Sequence, residues 1–99
     1  MQVKITSMAE LGEVLRATRK AHHLRLDDFA GMAGVGPVFV GDVEYGKETV
    51  QMGRVLQLLR ELGLTLTVEV PETTTPYLHK IREQGGLVRP SKRKLGSNE

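Results

Sequence analysis

Apolar side chains recur every three or four positions through about the first sixty residues, and this spacing predicts helices. The predicted helices span, in order, about residues 8–22, 26–33, 37–44 and 52–62. Ser7 and Glu10 mark the start of the first, because their spacing is that of a capping box, in which each side chain accepts a hydrogen bond from the other residue's backbone N–H. The chain is therefore expected to be mainly α-helical.

The period of the pattern changes to two over residues 64–70, which predicts a strand that ends at Pro71. Its apolar side is formed by Leu64, Leu66, Val68 and Val70. A single strand needs a neighbour for its backbone N–H and C=O groups. Residues 2–6, which also alternate, offer one within the chain, and the same strand of a second copy offers another. We expect the second arrangement, a two-fold dimer with these four side chains at its interface.

Two short helical patterns flank a glycine turn between residues 26 and 47, which is the arrangement of a helix-turn-helix. Ala30 is small enough to let two helices cross closely, and Gly34 suits a turn with positive φ. Pro37 suits the first position of the second helix, where its missing N–H costs nothing. An ordinary helical hairpin would share much of this pattern. We interpret it as a helix-turn-helix whose second helix is free to enter a DNA groove.

The second helix of this motif is expected to bury Val40 and Val43 and to turn Val38, Asp42 and Tyr45 outward. The outward set contains no Arg, Lys, Asn or Gln, the side chains that make bidentate contacts with guanine or adenine. Direct readout would therefore use Val38 against a thymine methyl group or Asp42 against a cytosine amine. Lys47 would contact a phosphate beyond the glycine that ends the helix. The residues expected to face DNA are Arg25, Gly36, Pro37, Val38, Asp42, Tyr45 and Lys47.

The net charge of +2 is unevenly distributed along the chain. Residues 1–71 carry eight Lys/Arg and nine Asp/Glu, whereas residues 72–99 carry six and three. Because DNA-binding proteins usually show a basic surface, the near-neutral first part predicts modest affinity, or help from a dimer partner and the tail. Arg16, Arg19 and Lys20 lie on the polar side of the first helix, which we expect to be a solvated face rather than a phosphate-facing edge.

Residues 1–71 are predicted to form the DNA-binding and dimerisation domain, and residues 72–99 a linker, a short helix and a basic flexible tail. Thr75 and Pro76 can start that helix, and Gly85 can stop it. A helix this short is marginal by itself, so it either packs on the dimer or becomes ordered against a partner. The tail has the composition of a disordered segment.

Several functional classes are disfavoured by the sequence. The chain contains no cysteine, and its adjacent His22 and His23 diverge on a helix, so we expect no metal, no cofactor and no disulfide. Asp27 and Asp28 also diverge, and no nucleophile with a paired base is present, so we expect no catalytic residues and no enzyme. With no signal-like start and no apolar run of about 20 residues, we expect a cytoplasmic protein that has no membrane partner.

From Leu11 to Val70 the chain resembles the Xre-type helix-turn-helix regulators and, more narrowly, the HipB-type antitoxins. The resemblance is carried by the run GVGPVFVGDVEYGK over residues 34–47, by Thr49, by VLQLLRELG over residues 55–63, and by the closing strand. Two positions depart from the family pattern. Arg25 and Leu26 stand where such regulators often have Gln or Thr, and Val38 stands where these antitoxins usually have a basic residue.

The resemblance implies a four- to five-helix domain with a C-terminal strand that pairs across a homodimer. It implies a repressor that binds double-stranded operator DNA of its own operon, and a HipA-like Ser/Thr kinase toxin as partner. Two alternatives stay open: a protein-interaction antitoxin or assembly subunit with little sequence-specific DNA binding, and a free-standing Xre-type regulator.

Overall fold

The structure, a computed structural model, describes residues 1–86 and contains five α-helices in that range. They are α1 (Met8–Ala21), α2 (Leu26–Ala33), α3 (Pro37–Glu44), α4 (Met52–Glu61) and α5 (Thr75–Glu83), with a 3₁₀ turn at Glu72–Thr74 before α5. The prediction of a mainly helical chain is confirmed, and the first four helices end within a residue or so of their predicted bounds. The basic tail predicted over residues 89–99 lies outside the described residues.

Met1–Leu66 form one compact unit, and a second begins at Thr67. In the first unit α3 packs against both α1 and α2, and α4 packs against α2. Eleven apolar side chains form its core: Leu11, Leu15, Phe29, Ala30, Ala33, Val40, Val43, Val55, Leu58, Leu59 and Leu62. In the second unit none of the described residues is buried, and α5 exposes Tyr77, Leu78 and Ile81.

Glycines permit the close contact between α1 and the end of α3. A Cβ atom on Gly12 would lie 2.6 Å from the backbone oxygen of Glu44 and would also collide with that of Val43. Gly46, just after α3, has φ 83°, and a Cβ there would lie 2.8 Å from Ala9 Cα. Backbone therefore touches backbone at two points, and this fixes α3 against α1.

The start of α1 differs in one hydrogen bond from the predicted capping box. The backbone N–H of Glu10 donates to Ser7 Oγ at 3.1 Å, as expected. The Glu10 carboxylate, however, accepts from the backbone N–H of Thr6 at 2.6 Å and from the Thr6 hydroxyl, rather than from the N–H of Ser7. These bonds, the Thr6 hydroxyl first, hold the pKa of Glu10 below its ordinary value.

The strand predicted over residues 64–70 is not formed, since none of the residues 1–86 belongs to a strand. The arrangement in which it pairs with residues 2–6 of the same chain is therefore not seen in the described range. Leu64 is half-buried, whereas Leu66, Val68 and Val70 are exposed. Pairing with a second copy stays a prediction.

Candidate nucleic-acid interface

The turn between α2 and α3 has the predicted geometry. Gly34 ends α2 in the left-handed conformation, with φ 70° and ψ 29°. The backbone N–H of Val35 donates back to the oxygen of Ala30 at 3.0 Å, so a carbonyl at the end of α2 is satisfied. Gly36 then caps α3 in an extended conformation, and Pro37 occupies its first turn. The two helices and their tight turn form a helix-turn-helix.

One face of α3 is buried and the opposite face is open. Val40, Val43 and Glu44 are buried, whereas Val38 is 78% exposed and Tyr45, just after the helix, is 75% exposed. Gly36 and Pro37 are exposed, and Asp42 is half-buried. Val38, Gly41, Asp42 and Tyr45 share the spacing of one helical face, which we call the outward stripe.

A buried ion pair holds α3 against α1. Arg19 Nε lies 2.6 Å from Glu44 Oε2, its second terminal nitrogen lies 3.0 Å from Oε1, and its first donates to the backbone oxygen of Leu24 at 2.8 Å. Glu44 is only 1% exposed. The hydrogen bonds to the Glu44 carboxylate raise the pKa of Arg19 above its ordinary value.

The expectation that Arg19 belongs to a solvated face was wrong, because α1 turns this position toward α3. The signal for the pair was Glu44 itself. It follows Val40 by four positions and Val43 by one, so it shares their inward face, where an ionised carboxylate needs a cation.

Two further cations lie along the outward stripe. The guanidinium of Arg16 lies over the Tyr45 ring, 4.6 Å from its centroid. Lys47 Nζ lies 3.5 Å from Asp42 Oδ2, and both side chains are partly exposed. Arg16 was expected on the solvated face of α1, and its contact with Tyr45 was not predicted, because that contact depends on how α1 crosses the end of α3. These cations place positive charge beside a stripe that itself carries only one carboxylate.

The remaining predicted DNA-facing residue, Arg25, precedes α2 as its N-cap. Its side chain is exposed and lies 3.5 Å from the Asp27 carboxylate, also exposed. Such surface pairs contribute little to stability, so Arg25 is free to exchange this partner for a phosphate. Within residues 1–86, no group of three or more His, Cys, Asp or Glu side chains could hold a metal ion. In that same range no helix is long and apolar enough to cross a membrane.

The fold and the open face of α3 define a helix-turn-helix domain. No family model matches the chain. It is 44% identical over 71 residues to the "Uncharacterized HTH-type transcriptional regulator y4mF" of Sinorhizobium fredii (strain NBRC 101917 / NGR234), an alignment that covers 72% of this chain and 93% of that protein. The chain therefore belongs to the HTH-type transcriptional regulators.

Solved structures share the fold. A chain from the "HipA-HipB-O2-O3 complex" superposes with a TM-score of 0.65 at 17% identity, over 72% of this chain and all of that one (100%). The restriction-modification controller protein C.AhdI from Aeromonas hydrophila superposes with a TM-score of 0.53 at 29% identity, over 59% of this chain and 84% of that one. The resemblance to helix-turn-helix regulators with the HipB fold is confirmed.

Proposed function

We propose that this chain is a cytoplasmic DNA-binding autorepressor that acts as a homodimer on double-stranded operator DNA of its own operon. The observation that carries the proposal is the open face of α3, which is held rigidly by a buried face and an ion pair and turns Val38 and Tyr45 into solvent. The relative that is 44% identical to the chain is described as an HTH-type transcriptional regulator, which supports the DNA-binding part of the proposal.

In this proposal the cations around α3 and at the start of α2 bind phosphates, and the outward stripe faces the bases. Arg25 and Lys47 are exposed, and each has only a long contact with a carboxylate, 3.5 Å in both cases. Gly36 and Pro37, at the start of α3, are also exposed, so the backbone there is accessible to a phosphate. Phosphate contacts fix the register of a protein on the duplex and make affinity depend on salt.

The dimer would form through residues 64–70. Their apolar positions Leu66, Val68 and Val70 are exposed in the single chain, and Leu64 lies half-buried at the edge of the core. Pairing with the same residues of a second copy would satisfy the backbone and cover these side chains. A two-fold dimer would then present its two α3 helices to successive major grooves, about 34 Å apart.

The test is binding to a duplex from upstream of the operon, measured against salt concentration. We expect a specific complex at low salt whose affinity falls linearly with salt on logarithmic axes. Lys47→Ala and Arg25→Ala should each lower that slope by about one per protomer. Arg60→Ala is the matched control, because it removes an exposed cation from the last turn of α4 and should leave the slope unchanged. Absence of any specific complex at low salt would refute the proposal.

We also propose that the chain is the antitoxin of a HipA-like Ser/Thr kinase. This is supported by the residues that resemble HipB-type antitoxins and by the fold shared with the HipA-HipB-O2-O3 complex. The experiment is co-expression with a kinase encoded beside this chain. We expect the two to co-purify and growth inhibition by the kinase to be relieved. A free-standing regulator would have no such neighbour.

A protein-interaction antitoxin or assembly subunit with little sequence-specific DNA binding is the second candidate. It is favoured by the composition of the outward stripe, which lacks Arg, Lys, Asn and Gln and contains Asp42. This candidate predicts kinase binding together with equal affinity for all duplex sequences, so the binding assay above separates the two.

A further inference from the structure

Of the three side chains on the outward stripe, Val38 is the one that makes no contact with a neighbouring charged group. The Tyr45 ring contacts the Arg16 guanidinium, and Asp42 Oδ2 lies 3.5 Å from Lys47 Nζ. Val38 lies at the second position of α3 and is 78% exposed. In helix-turn-helix proteins the first residues of the second helix contact the base edges. Val38 is therefore the side chain best placed to meet a base.

The apolar side chain of Val38 limits which group of a base pair it can contact favourably. An isopropyl group neither donates nor accepts a hydrogen bond, and the apolar group that base pairs present in the major groove is the C5-methyl of thymine. The same methyl occurs on 5-methylcytosine. When Val38 packs against this methyl group, the apolar surfaces of the valine and of the methyl are both removed from water. Cytosine and uracil lack the C5-methyl group, so the valine would face an empty gap or water at that position.

Gly41, one turn after Val38 on the same stripe, has no structural reason to be glycine. A Cβ built there meets no atom within 4 Å. Glycine inside a helix is destabilising relative to alanine, so the fold itself would favour alanine. A missing side chain on an outward face instead allows the helix backbone to approach another surface closely.

We infer that α3 reads the C5-methyl group of a pyrimidine in the major groove, with Val38 as the contacting side chain and Gly41 as the point of close backbone approach. This inference rests on the DNA binding proposed above. It adds to that proposal the chemical group that is read and two specificity-determining positions.

The test starts from duplexes that the full chain enriches from a randomised pool. At an enriched thymine, four duplexes are compared, carrying thymine, uracil, cytosine or 5-methylcytosine opposite the matching base. We expect removal of the methyl from thymine to weaken binding about fourfold, since one buried methyl-sized group is lost. The ratio of 5-methylcytosine to cytosine should be the same, which assigns the effect to the methyl group rather than to the pairing edge. Val38→Ala should bind the thymine and uracil duplexes equally.

Gly41→Ala tests the close approach, and Gly31→Ala is its matched control. Gly31 lies inside α2, and a Cβ there also meets nothing within 4 Å. Both variants should melt at higher temperature than the parent, but only Gly41→Ala should lose DNA affinity, by tenfold or more on the scale of one disturbed contact. Unchanged affinity of Gly41→Ala would overturn the role of Gly41.

The outcomes separate this inference from the proposed function. Equal binding of thymine and uracil duplexes, or a Val38→Ala variant that keeps the full preference for thymine, overturns methyl readout and leaves DNA binding intact. Binding without any enriched sequence also overturns it. Failure to bind every duplex at low salt refutes the proposed function and this inference together.

Discussion

Replacement of Arg19 by methionine should be the most destabilising exchange of an arginine on α1. Methionine keeps the length of the apolar stem and removes the guanidinium, which makes two hydrogen bonds to the Glu44 carboxylate and one to Leu24. Glu44, almost fully buried, would then be a charge without a partner. Breaking a buried pair in this way costs about 3–5 kcal/mol.

That cost is a large part of the stability of a small domain, which is about 5–15 kcal/mol in total. A loss of about 3 kcal/mol corresponds to a fall in Tm of at least about 12 °C for a chain of this size. The companion variant Arg19→Met with Glu44→Leu replaces both members by apolar groups and should recover most of the loss, because no buried charge remains. Arg16→Met is the control: it removes another guanidinium of α1, but only a partly exposed contact with Tyr45, so we expect a cost of about 0.5–1 kcal/mol.

The assay is urea unfolding followed by far-UV circular dichroism, with free energies from linear extrapolation. Protomer concentration is held constant, because a dimer gains stability with concentration. If Arg19→Met costs no more than Arg16→Met, or if the double variant is as unstable as the sum of its single changes, the unpaired Glu44 carboxylate is not the cause of the loss.

Three further predictions concern the α1–α3 contact, the cap of α1 and the proposed dimer. Gly12→Ala should destabilise by about 1–3 kcal/mol in the same assay, because its Cβ would meet the Glu44 backbone, whereas Gly31→Ala should stabilise by about 0.5–1 kcal/mol. Since the pKa of Glu10 is lowered in the folded state, its contribution should be fully present above the unfolded pKa and be lost as the pH falls through the folded pKa. Melting curves from pH 7 to pH 3 should therefore converge for the parent and Glu10→Gln in acid, and a constant difference between them would contradict the capping contact. Val68→Asp should give monomers in sedimentation, and an unchanged dimer would refute pairing through residues 64–70.

The helices of the first unit could be predicted from the sequence because their signals are local. A periodic apolar face, a serine before α1, Pro37 at the start of α3 and a glycine after α2 each act within a few residues. The strand prediction rests on a pattern that is equally local. Alternation over residues 64–70 specifies two faces, whereas a strand also needs a neighbour. Within residues 1–86 the chain supplies none, so the pattern predicts an interface rather than an element of the single chain.

The Arg19–Glu44 pair could not be predicted in the same way, because its members lie 25 positions apart. Nothing local to α1 distinguishes Arg19 from Arg16 or Lys20. Which of the three becomes buried depends on which side of α1 faces α3, and the α3 backbone lies against α1 at Gly12. A glycine inside a helix is by itself a weak signal of a close backbone, because Gly12 meets the α3 backbone whereas Gly31, also inside a helix, has no atom within 4 Å of a built Cβ.

These contacts explain how a helix of only eight residues can hold the fixed position that the proposed DNA readout requires. A helix this short is not stable alone, so α3 takes its position from its surroundings. Val40 and Val43 are buried in the core and anchor one face of the helix. Arg19 binds the carboxylate of Glu44, the last residue of α3, through two hydrogen bonds, which restricts rotation of the helix. Gly12 and Gly46 allow the end of α3 to contact the backbone of α1. None of these groups lies on the outward stripe. Residues of the outward stripe, such as Val38, can therefore be exchanged without loss of the contacts that position α3, and we expect such exchanges to change the proposed base preference without changing stability.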